Sequence, residues 1–173
     1  MLIRTTAALA LLTLASTVSL AQTTKPSDPQ IAHIAYTADV IDIEAANLAI
    51  SKSRNSEVIA FARDMVRDHE AVNKQALALV KKLNVTPEEN DTSKSLSKAA
   101  ADQRKALSAL DGAAFDKAYI QNEVAFHKQV NGALKTLLIP SATNSELKSL
   151  LETGLKMFEG HQQHAEQVAA KLK

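Results

Sequence analysis

Histidine and glutamate side chains lie on the apolar faces of helix-like segments in this sequence. His69 lies between Met65 and Val72 in FARDMVRDHEAVN, residues 61–73, where apolar residues recur three and four positions apart. A rotation of about 100° per residue places the His69 imidazole within roughly 40° of the centre of that apolar stripe. A buried imidazole or carboxylate without a partner costs several kcal/mol or titrates to its neutral form. His69 therefore needs a polar partner inside the protein.

Three other long segments carry similar groups on or beside an apolar stripe. Glu123 lies within the stripe of the third long segment, and His127 follows one turn later at its edge. His161 lies on the inner face of the last segment, and Glu44 falls between two apolar faces of the first. Imidazole and carboxylate together suit Zn, Fe, Mn or Cu, but a hydrogen-bonded cluster without a metal would satisfy the same groups. The candidate metal ligands are His69, Glu123, His127, His161 and Glu44.

The positions of these residues along their helices test whether they can meet. Folding the last two long segments together about Pro140 brings His161 within about one turn of Glu123, so these two side chains can share a site. Folding the first two about Arg54 places His69 opposite Asp39, with Glu44 roughly 7 Å further along the axis. Glu44 therefore reaches the site only if the helices are staggered.

Two pairs of an arginine and an aspartate precede His69 in the sequence. They alternate between basic and acidic types, which is typical of a solvated helix face rather than of a site. We therefore predict that they face water: Arg63, Asp64, Arg67 and Asp68.

The elements that must position these side chains are helices. The chain is rich in Ala, Leu, Lys and Glu and has only four glycines, a composition that favours helix. Asp28 and Pro29 are suited to begin the first helix, and Asn55 or Ser56 is suited to cap the second. The polar loop NVTPEENDTSKS separates the second and third long helices. The predicted helices are 29 to about 53, about 56 to 83, a shorter one at 94–110, a long one that begins after Gly112 and ends at Pro140, and about 146 to 172.

This order of elements predicts an all-α fold. The short breaks make two antiparallel helical hairpins, joined by a long crossover that contains the short helix. Such a connection describes a ferritin-like four-helix bundle. The predicted organisation is a signal peptide at 1–21, an N-terminal linker at 22–28 and the ferritin-like bundle at 29–173.

The first residues, MLIRTTAALALLTLASTVSLAQ, are typical of a secretory signal, with Arg4 before an apolar run and small residues before Gln22. Cleavage near Ala21 would place the protein in the periplasm or otherwise outside the cytoplasm. The mature chain would have no transmembrane segment, because no later run is long and apolar enough. Without Arg4, 19 basic and 19 acidic side chains remain. Because they balance, the charge does not favour nucleic acid as a partner.

Part of the first helix carries a second apolar face, formed by Val40, Ile43 and Ile50. An apolar face of this kind needs cover. The cover is either a partner, in a homodimer or an envelope complex, or the helix predicted at 94–110.

Three stretches carry a resemblance to a known family: FARDMVRDHEAVNKQALALVKKL, FDKAYIQNEVAFHKQV and FEGHQQHAEQVAAKL. The chain resembles a large bacterial family of exported ferritin-like proteins catalogued as a domain of unknown function, number 4142. The resemblance implies a four-helix bundle in the cell envelope and supplies no established activity. It also implies acidic positions in the first helix, at Asp42 and Glu44, and recurring histidines at His69, His127 and His161.

The sequence departs from the pattern of di-iron ferritin-like proteins, in which a glutamate precedes each ligand histidine by three residues. Here the residues at those positions are apolar: Val66, Val124 and Phe158. A mononuclear site richer in histidine fits better than a di-iron oxidase or an iron-storage shell.

Two interpretations of function remain open at this point. The first is a periplasmic metal-binding or metal-dependent redox protein that uses the histidines and glutamates as ligands. The second is an envelope or stress-related structural or interaction module, in which the inner histidines bond to Glu44, Glu123 and Asn73. The sequence does not decide whether the protein is an enzyme, and the second interpretation is slightly preferred.

Overall fold

The computed structural model describes residues 25–172, and every regular element in that range is helical, which confirms the all-α prediction. The predicted signal peptide at 1–21 lies outside the described residues, as do Gln22 to Thr24 of the linker and Lys173. The helices are α1 (Asp28–Lys52), α2 (Ser56–Lys82), α3 (Asp91–Ser108), α4 (Gly112–Ala133), a π-helical stretch (Leu134–Leu138), α5 (Ile139–Ser141) and α6 (Ser145–Lys171).

The start of α1 differs from the prediction in its capping residue. The Ser27 hydroxyl accepts a hydrogen bond from the backbone N–H of Gln30, and the Gln30 side chain accepts one from the Ser27 N–H, which completes a capping box. The Asp28 carboxylate is used elsewhere, because it accepts hydrogen bonds from Thr143 and Asn144 just before α6. Asp28 therefore ties the first helix to the turn that precedes the last one.

Four long helices pack side by side. α1 packs against α2 and α4 packs against α6, and the two pairs meet through contacts of α1 with α4 and of α2 with α6. The turn between α1 and α2 is short because Asn55 caps α2 two residues after α1 has ended at its cap, Ser53. This arrangement lets each long helix turn one face towards a shared interior.

The crossover from α2 to α4 follows α1 along its length. At its beginning the Glu88 N–H donates to the Pro29 carbonyl. At its end Lys52 Nζ donates to the Ser108 carbonyl and lies 2.9 Å from an Asp111 carboxylate oxygen. α3, within this crossover, packs against α1, and its Arg104 pairs with Glu44. Val40, Ile43 and Ile50 are half-buried, and what covers that face stays a prediction.

The last long segment before Pro140 is not a single α-helix. α4 ends at Ala133, and the π-helical turn that follows brings the Ile139 N–H to the Leu134 carbonyl. Pro140 lacks an N–H and fits in the first turn of α5. The predicted boundary at Pro140 is therefore close to the observed end of the segment, but the α-helix itself stops earlier.

Two apolar clusters fill the interior, one towards each end of the long helices. One contains Phe61, Met65, Phe115, Tyr119 and Ile120. The other is built on residues of α1, the π-helical stretch and α6. Its members are Ile31, Ile34, Leu134, Leu138, Leu147, Leu151 and Phe158.

Buried polar side chains lie between these two apolar clusters on all four long helices. The described side chains of this central layer are Asp39, Asp42, His69, Glu123, His127 and His161.

Candidate metal centre

The hairpin of α1 and α2 places His69 between two carboxylates. Asp39 and Asp42 are three residues apart on α1, so they lie on one face of that helix. His69 Nδ1 is 2.7 Å from an Asp39 oxygen and is hydrogen-bonded to it. His69 Nε2 is 2.7 Å from an Asp42 oxygen. That second contact lacks hydrogen-bond geometry within residues 25–172, so the oxygen lies away from the direction in which an N–H would point.

α4 brings a second imidazole to the same Asp42 oxygen. His127 Nδ1 donates to the backbone carbonyl of Glu123, one turn earlier, at 3.0 Å. This bond leaves Nε2 as the free nitrogen, 3.3 Å from the Asp42 oxygen. The Glu123 carboxylate lies beside the ring, 3.7 Å from His127 Nδ1. Asp42 is therefore shared between an imidazole of α2 and an imidazole of α4.

α6 supplies the third imidazole from the opposite side. His161 Nε2 donates to an Asp68 carboxylate oxygen at 3.0 Å. Its ring centroid lies 5.3 Å from that of His69 and 5.4 Å from that of His127. Phe158, one turn before His161, stacks on His69 at 4.7 Å between centroids, nearly parallel. The aromatic ring holds the His69 imidazole from one side.

Each of the three imidazoles has one nitrogen fixed by an oxygen and one nitrogen without a hydrogen bond among the described residues. The unbonded atoms are His69 Nε2, His127 Nε2 and His161 Nδ1. One ligand atom from each ring lies within 4.8 Å of the others, and the same holds for Asp42, Glu123 and His127. Hydrogen bonding through one nitrogen that leaves the other bare is how proteins prepare a histidine to bind a metal.

Burial and mutual charge set the pKa values in this layer. Burial alone would lower the pKa of His69, but the carboxylates of Asp42 and Asp39 outweigh it and raise the pKa to about 10. Burial lowers the pKa of His127 to about 4, and repulsion from His69 acts in the same direction. Burial together with the Asp42 charge raises the pKa of Glu123 well above its usual value. Without a metal, His69 therefore carries the proton that balances the buried carboxylates.

Two pairs of donor atoms have the spacing that a single transition-metal ion requires. With metal–ligand distances of about 2.0 to 2.2 Å, neighbouring donors around one ion lie roughly 2.8 to 3.5 Å apart. The Asp42 oxygen lies 2.7 Å from His69 Nε2 and 3.3 Å from His127 Nε2, close to that spacing. Asp39 and Asp68 lie on the outer nitrogens of His69 and His161, where supporting carboxylates of metal sites are found.

Four of the five sequence-predicted site residues lie in this buried layer. His69, Glu123, His127 and His161 are each at most 7% exposed. Glu44 does not join them, because its exposed side chain pairs with Arg104 of α3. The prediction that Glu44 lies on or beside the inner face is wrong, since α3 passes along that side of α1 and supplies the cation.

Three carboxylates that the structure places in the site were not selected from the sequence. Asp39 was placed opposite His69 by counting from Arg54 but was not selected, and Asp42 appeared only through the family resemblance. Asp68 was predicted to face water, whereas it bonds to His161. The Asn73 side-chain oxygen has no hydrogen bond within the described range, so Asp39 rather than Asn73 orients His69. The spacing of Asp39 and Asp42 on one face, at the level of His69, was the signal that could have identified both.

The fold and the buried layer define an all-helical protein with a histidine and carboxylate cluster that could hold a metal ion. The chain belongs to the family described as Domain of unknown function (DUF4142), whose profile matches residues 13–168. This match confirms the resemblance noted from the sequence. No curated protein matches the chain.

Two solved structures share the fold. One is the crystal structure of a protein described as secreted, DUF305 from Streptomyces coelicolor, with 14% identity and a TM-score of 0.70 over 82% of this chain and 91% of that one. The other is CopM in its Cu(II)-bound form, with 14% identity and a TM-score of 0.65 over 86% of this chain and 99% of that one. At this level of identity the likeness shows the fold alone. Within residues 25–172, no helix is both long enough and apolar enough to cross a membrane.

Proposed function

We propose that the protein is an exported transition-metal-binding protein that holds one ion in the buried layer. His69, His127 and Asp42 would supply the central ligands, with His161 and Glu123 beside them. One observation carries this proposal. Three imidazoles from three helices each have one nitrogen fixed by an oxygen and the other left unbonded, within the described residues, around a common carboxylate.

The donor set selects a class of metal. It contains imidazole nitrogen and carboxylate oxygen, and the chain has no cysteine. Such sites suit Cu(II), Zn(II), Fe(II) or Mn(II), and a set with three imidazoles favours Cu(II) and Zn(II) over Mn(II). The Cu(II)-bound form of CopM, a protein of similar fold, supports this choice. A bound ion of this class would supply Lewis acidity or, for copper and iron, one-electron redox chemistry.

The protein's own groups would control binding through protons. His69 must release the proton at Nε2 before that nitrogen can bind a metal, whereas Nδ1–H stays on the Asp39 carboxylate. Asp39 thus keeps the ring in the orientation and tautomer that ligation needs. Phe158 covers the imidazole and excludes water from that side.

The export and the bundle type belong to the same proposal. A signal peptide at 1–21 with cleavage near Ala21, a polar linker at 22–28 and a bundle at 29–173 agree with the secreted description of the Streptomyces coelicolor protein. Two helical pairs joined by a crossover that follows α1 support the ferritin-like version of the four-helix bundle. Export would place the site where periplasmic metal ions reach it.

A second candidate function rests on the charge of His69. With a pKa of about 10, His69 is an imidazolium between Asp39 and Asp42, which is a buried ion pair that needs no metal. In that case the layer is a structural element of an envelope module. The poor alignment of the His69 Nε2 to Asp42 contact favours the metal-binding function, because a structural ion pair would be expected to direct its N–H at the carboxylate.

Metal analysis tests the choice between these functions. Protein purified without a chelator or a histidine tag should contain close to one ion per chain, or take up one Co(II) in a titration. Asp42→Asn and His127→Gln should lose that ion while keeping their far-UV circular dichroism. The matched control is His33→Ala, which removes a histidine of α1 that bonds to Thr37 outside the layer. Wild-type protein that holds no metal and takes up none would refute the metal-binding function and leave the structural one.

A further inference from the structure

Burial differs across the layer, and the side of His161 is the most open. The side chains of Asp42, Glu123 and His127 are at most 1% exposed, and that of His69 is 3% exposed. The His161 side chain is 8% exposed, and its partner Asp68 is 23% exposed. Among the described groups of the layer and their direct partners, exposure therefore rises in one direction, from His69 through His161 to Asp68.

Asp68 is held from two sides. His161 donates to one of its oxygens from inside the bundle. Arg67 donates to both of its oxygens from outside, at 2.8 and 3.0 Å, and also to Asp64 at 2.6 Å. The Arg67 side chain is 66% exposed, so its ion pairs are solvated and open at little cost in free energy. The outer contact of Asp68 is thus weak, and the inner one is protected.

His161 connects the surface with the site through a single ring. Its Nε2 faces the Asp68 carboxylate, and its Nδ1 is buried and makes no hydrogen bond within residues 25–172. Because Nε2 carries the proton that is donated to Asp68, Nδ1 is the nitrogen that can bind a cation released by the carboxylate. The rings of His69 and His127 lie close to it, with centroids 5.3 and 5.4 Å from that of His161. No other described carboxylate in contact with the three imidazoles is as exposed as Asp68.

A small cavity beside Asp39 and Phe158, two residues that contact His69, offers no polar path among residues 25–172. Its other lining residues are almost all aliphatic. A hydrated divalent cation does not cross such a surface, because it would lose its water without gaining oxygen or nitrogen ligands.

We propose that Asp68 and His161 form the path by which a divalent cation enters the buried site, with Arg67 as a latch that keeps Asp68 closed. This inference rests on the proposed metal-binding function. The carboxylate of Asp68 binds the hydrated cation from solvent when the ion pair between Arg67 and Asp68 opens. His161 then transfers the cation to the buried site. Arg67 then returns to Asp68 and slows escape. In this role Asp68 changes how fast the ion moves more than how tightly it is held.

Stopped-flow uptake of Co(II), followed by visible absorption, and its release to EDTA test the path. Asp68→Asn should slow both uptake and release by about tenfold or more, since one carboxylate is lost from the path. The dissociation constant should change far less than either rate. Arg67→Gln should speed both processes, and Asp68→Glu should restore much of the wild-type rate.

The matched control is Asp102→Asn on α3. Asp102 is more exposed than Asp68 but is likewise paired with a cation on its own helix, Lys98, so the change in net charge is the same. Wild-type rates in Asp68→Asn would overturn the path. So would faster release with unchanged uptake, because Asp68 would then only support His161 as a ligand. Wild-type protein that binds no Co(II) at equilibrium would overturn the proposed function as well, whereas normal equilibrium binding with unaltered rates would overturn the path alone.

Discussion

Asp39 and Asp42 contact the same imidazole but have different roles. Asp39 bonds to Nδ1 of His69 and touches neither of the other two imidazoles within hydrogen-bond distance in the described structure. Asp42 lies between His69 and His127, so it belongs to the proposed ligand set. Although burial would raise the pKa of Asp42, the charges of His69 and His127 lower it. Asp42 therefore stays ionised and available.

Replacing Asp39 tests whether an outer carboxylate tunes the site. Asp39→Asn keeps the size of the side chain but removes the charge that orients His69 and raises its basicity. We expect metal affinity to fall by about 10- to 100-fold with helicity unchanged, as for other carboxylates that support ligand histidines. Competition titration with a chromophoric chelator measures this. Glu44→Gln is the matched control and should bind as the wild type does. Equal affinity in the Asp39 variant would show that Asp39 does not act on the metal.

The histidines were predictable from the sequence, but their partners were only partly so. His69, His127 and His161 stand out because each interrupts an apolar stripe that has the period of a helix. Asp39 and Asp42 sit in a helix that is apolar on two sides, so periodicity alone does not show which face is buried. Glu44 and Asp68 were misassigned for a related reason. Each faces a neighbouring helix whose position depends on tertiary packing, and no local pattern encodes it.

Among the elements, the start of α1 is fixed to the other end of the chain by one side chain. The Asp28 carboxylate accepts hydrogen bonds from the backbone N–H groups of Thr143 and Asn144 and from the Thr143 hydroxyl. Together these bonds lower the pKa of Asp28, against the opposing effect of its partial burial. They also hold the turn before α6 in the conformation that its cap requires.

Asp28→Ala should destabilise the fold by roughly 1 to 2 kcal/mol, because it removes hydrogen bonds to an ionised acceptor. Urea unfolding followed by circular dichroism measures the change. Asp91→Ala is a suitable control, since Asp91 is likewise an acidic residue in the first turn of a helix but is exposed. Equal losses in both variants would mean that Asp28 acts only through the helix dipole.

Helix positions were largely predictable, and helix ends less so. Asn55 was one of two predicted caps for α2, and it is the observed one, since its side chain accepts from Glu57 and Val58. Asp28 was the predicted cap of α1 because Asp is a common capping residue. The long-range bonds to Thr143 and Asn144 draw its carboxylate away, and the neighbouring Ser27 takes over the capping role. Competition of this kind appears only when the whole chain is folded.

At the scale of the whole molecule, the polar layer makes stability depend on pH in two directions. In chelator-treated protein the folded state keeps His127 neutral down to about pH 4, whereas the unfolded chain protonates it near its ordinary pKa of 6.5. The unfolded state binds more protons in that window, so the free energy of unfolding should fall as the pH drops from about 6.5 towards 4. His161, whose pKa is also lowered by burial, acts in the same sense.

Above neutral pH, the free energy of unfolding changes with pH in the opposite direction. The folded state retains the His69 proton up to a pKa of about 10, whereas the unfolded chain has released it above 6.5. The free energy of unfolding should therefore also fall as the pH rises through this window. Glu123 acts in the same direction as the pH rises above the ordinary pKa of its carboxyl group, because burial raises its pKa in the folded state. Urea unfolding across this pH range measures both losses of stability. His69→Gln should reduce the loss at alkaline pH and keep the loss at acid pH. A wild-type stability that does not change between neutral pH and about pH 10 would contradict the assignment.

The position of the polar layer between two apolar clusters also sets the alignment of the helices. Apolar side chains alone tolerate a helix that slides by one turn, because leucine and alanine fit many neighbours about equally well. A slide of any one helix here would press an imidazole or a carboxylate against aliphatic groups and leave its former partner alone, as happens when a buried polar residue in a coiled coil is out of register. The layer that contains the proposed metal ligands thus also fixes the register of the helices, in a chain that has no cysteine with which to form a disulfide.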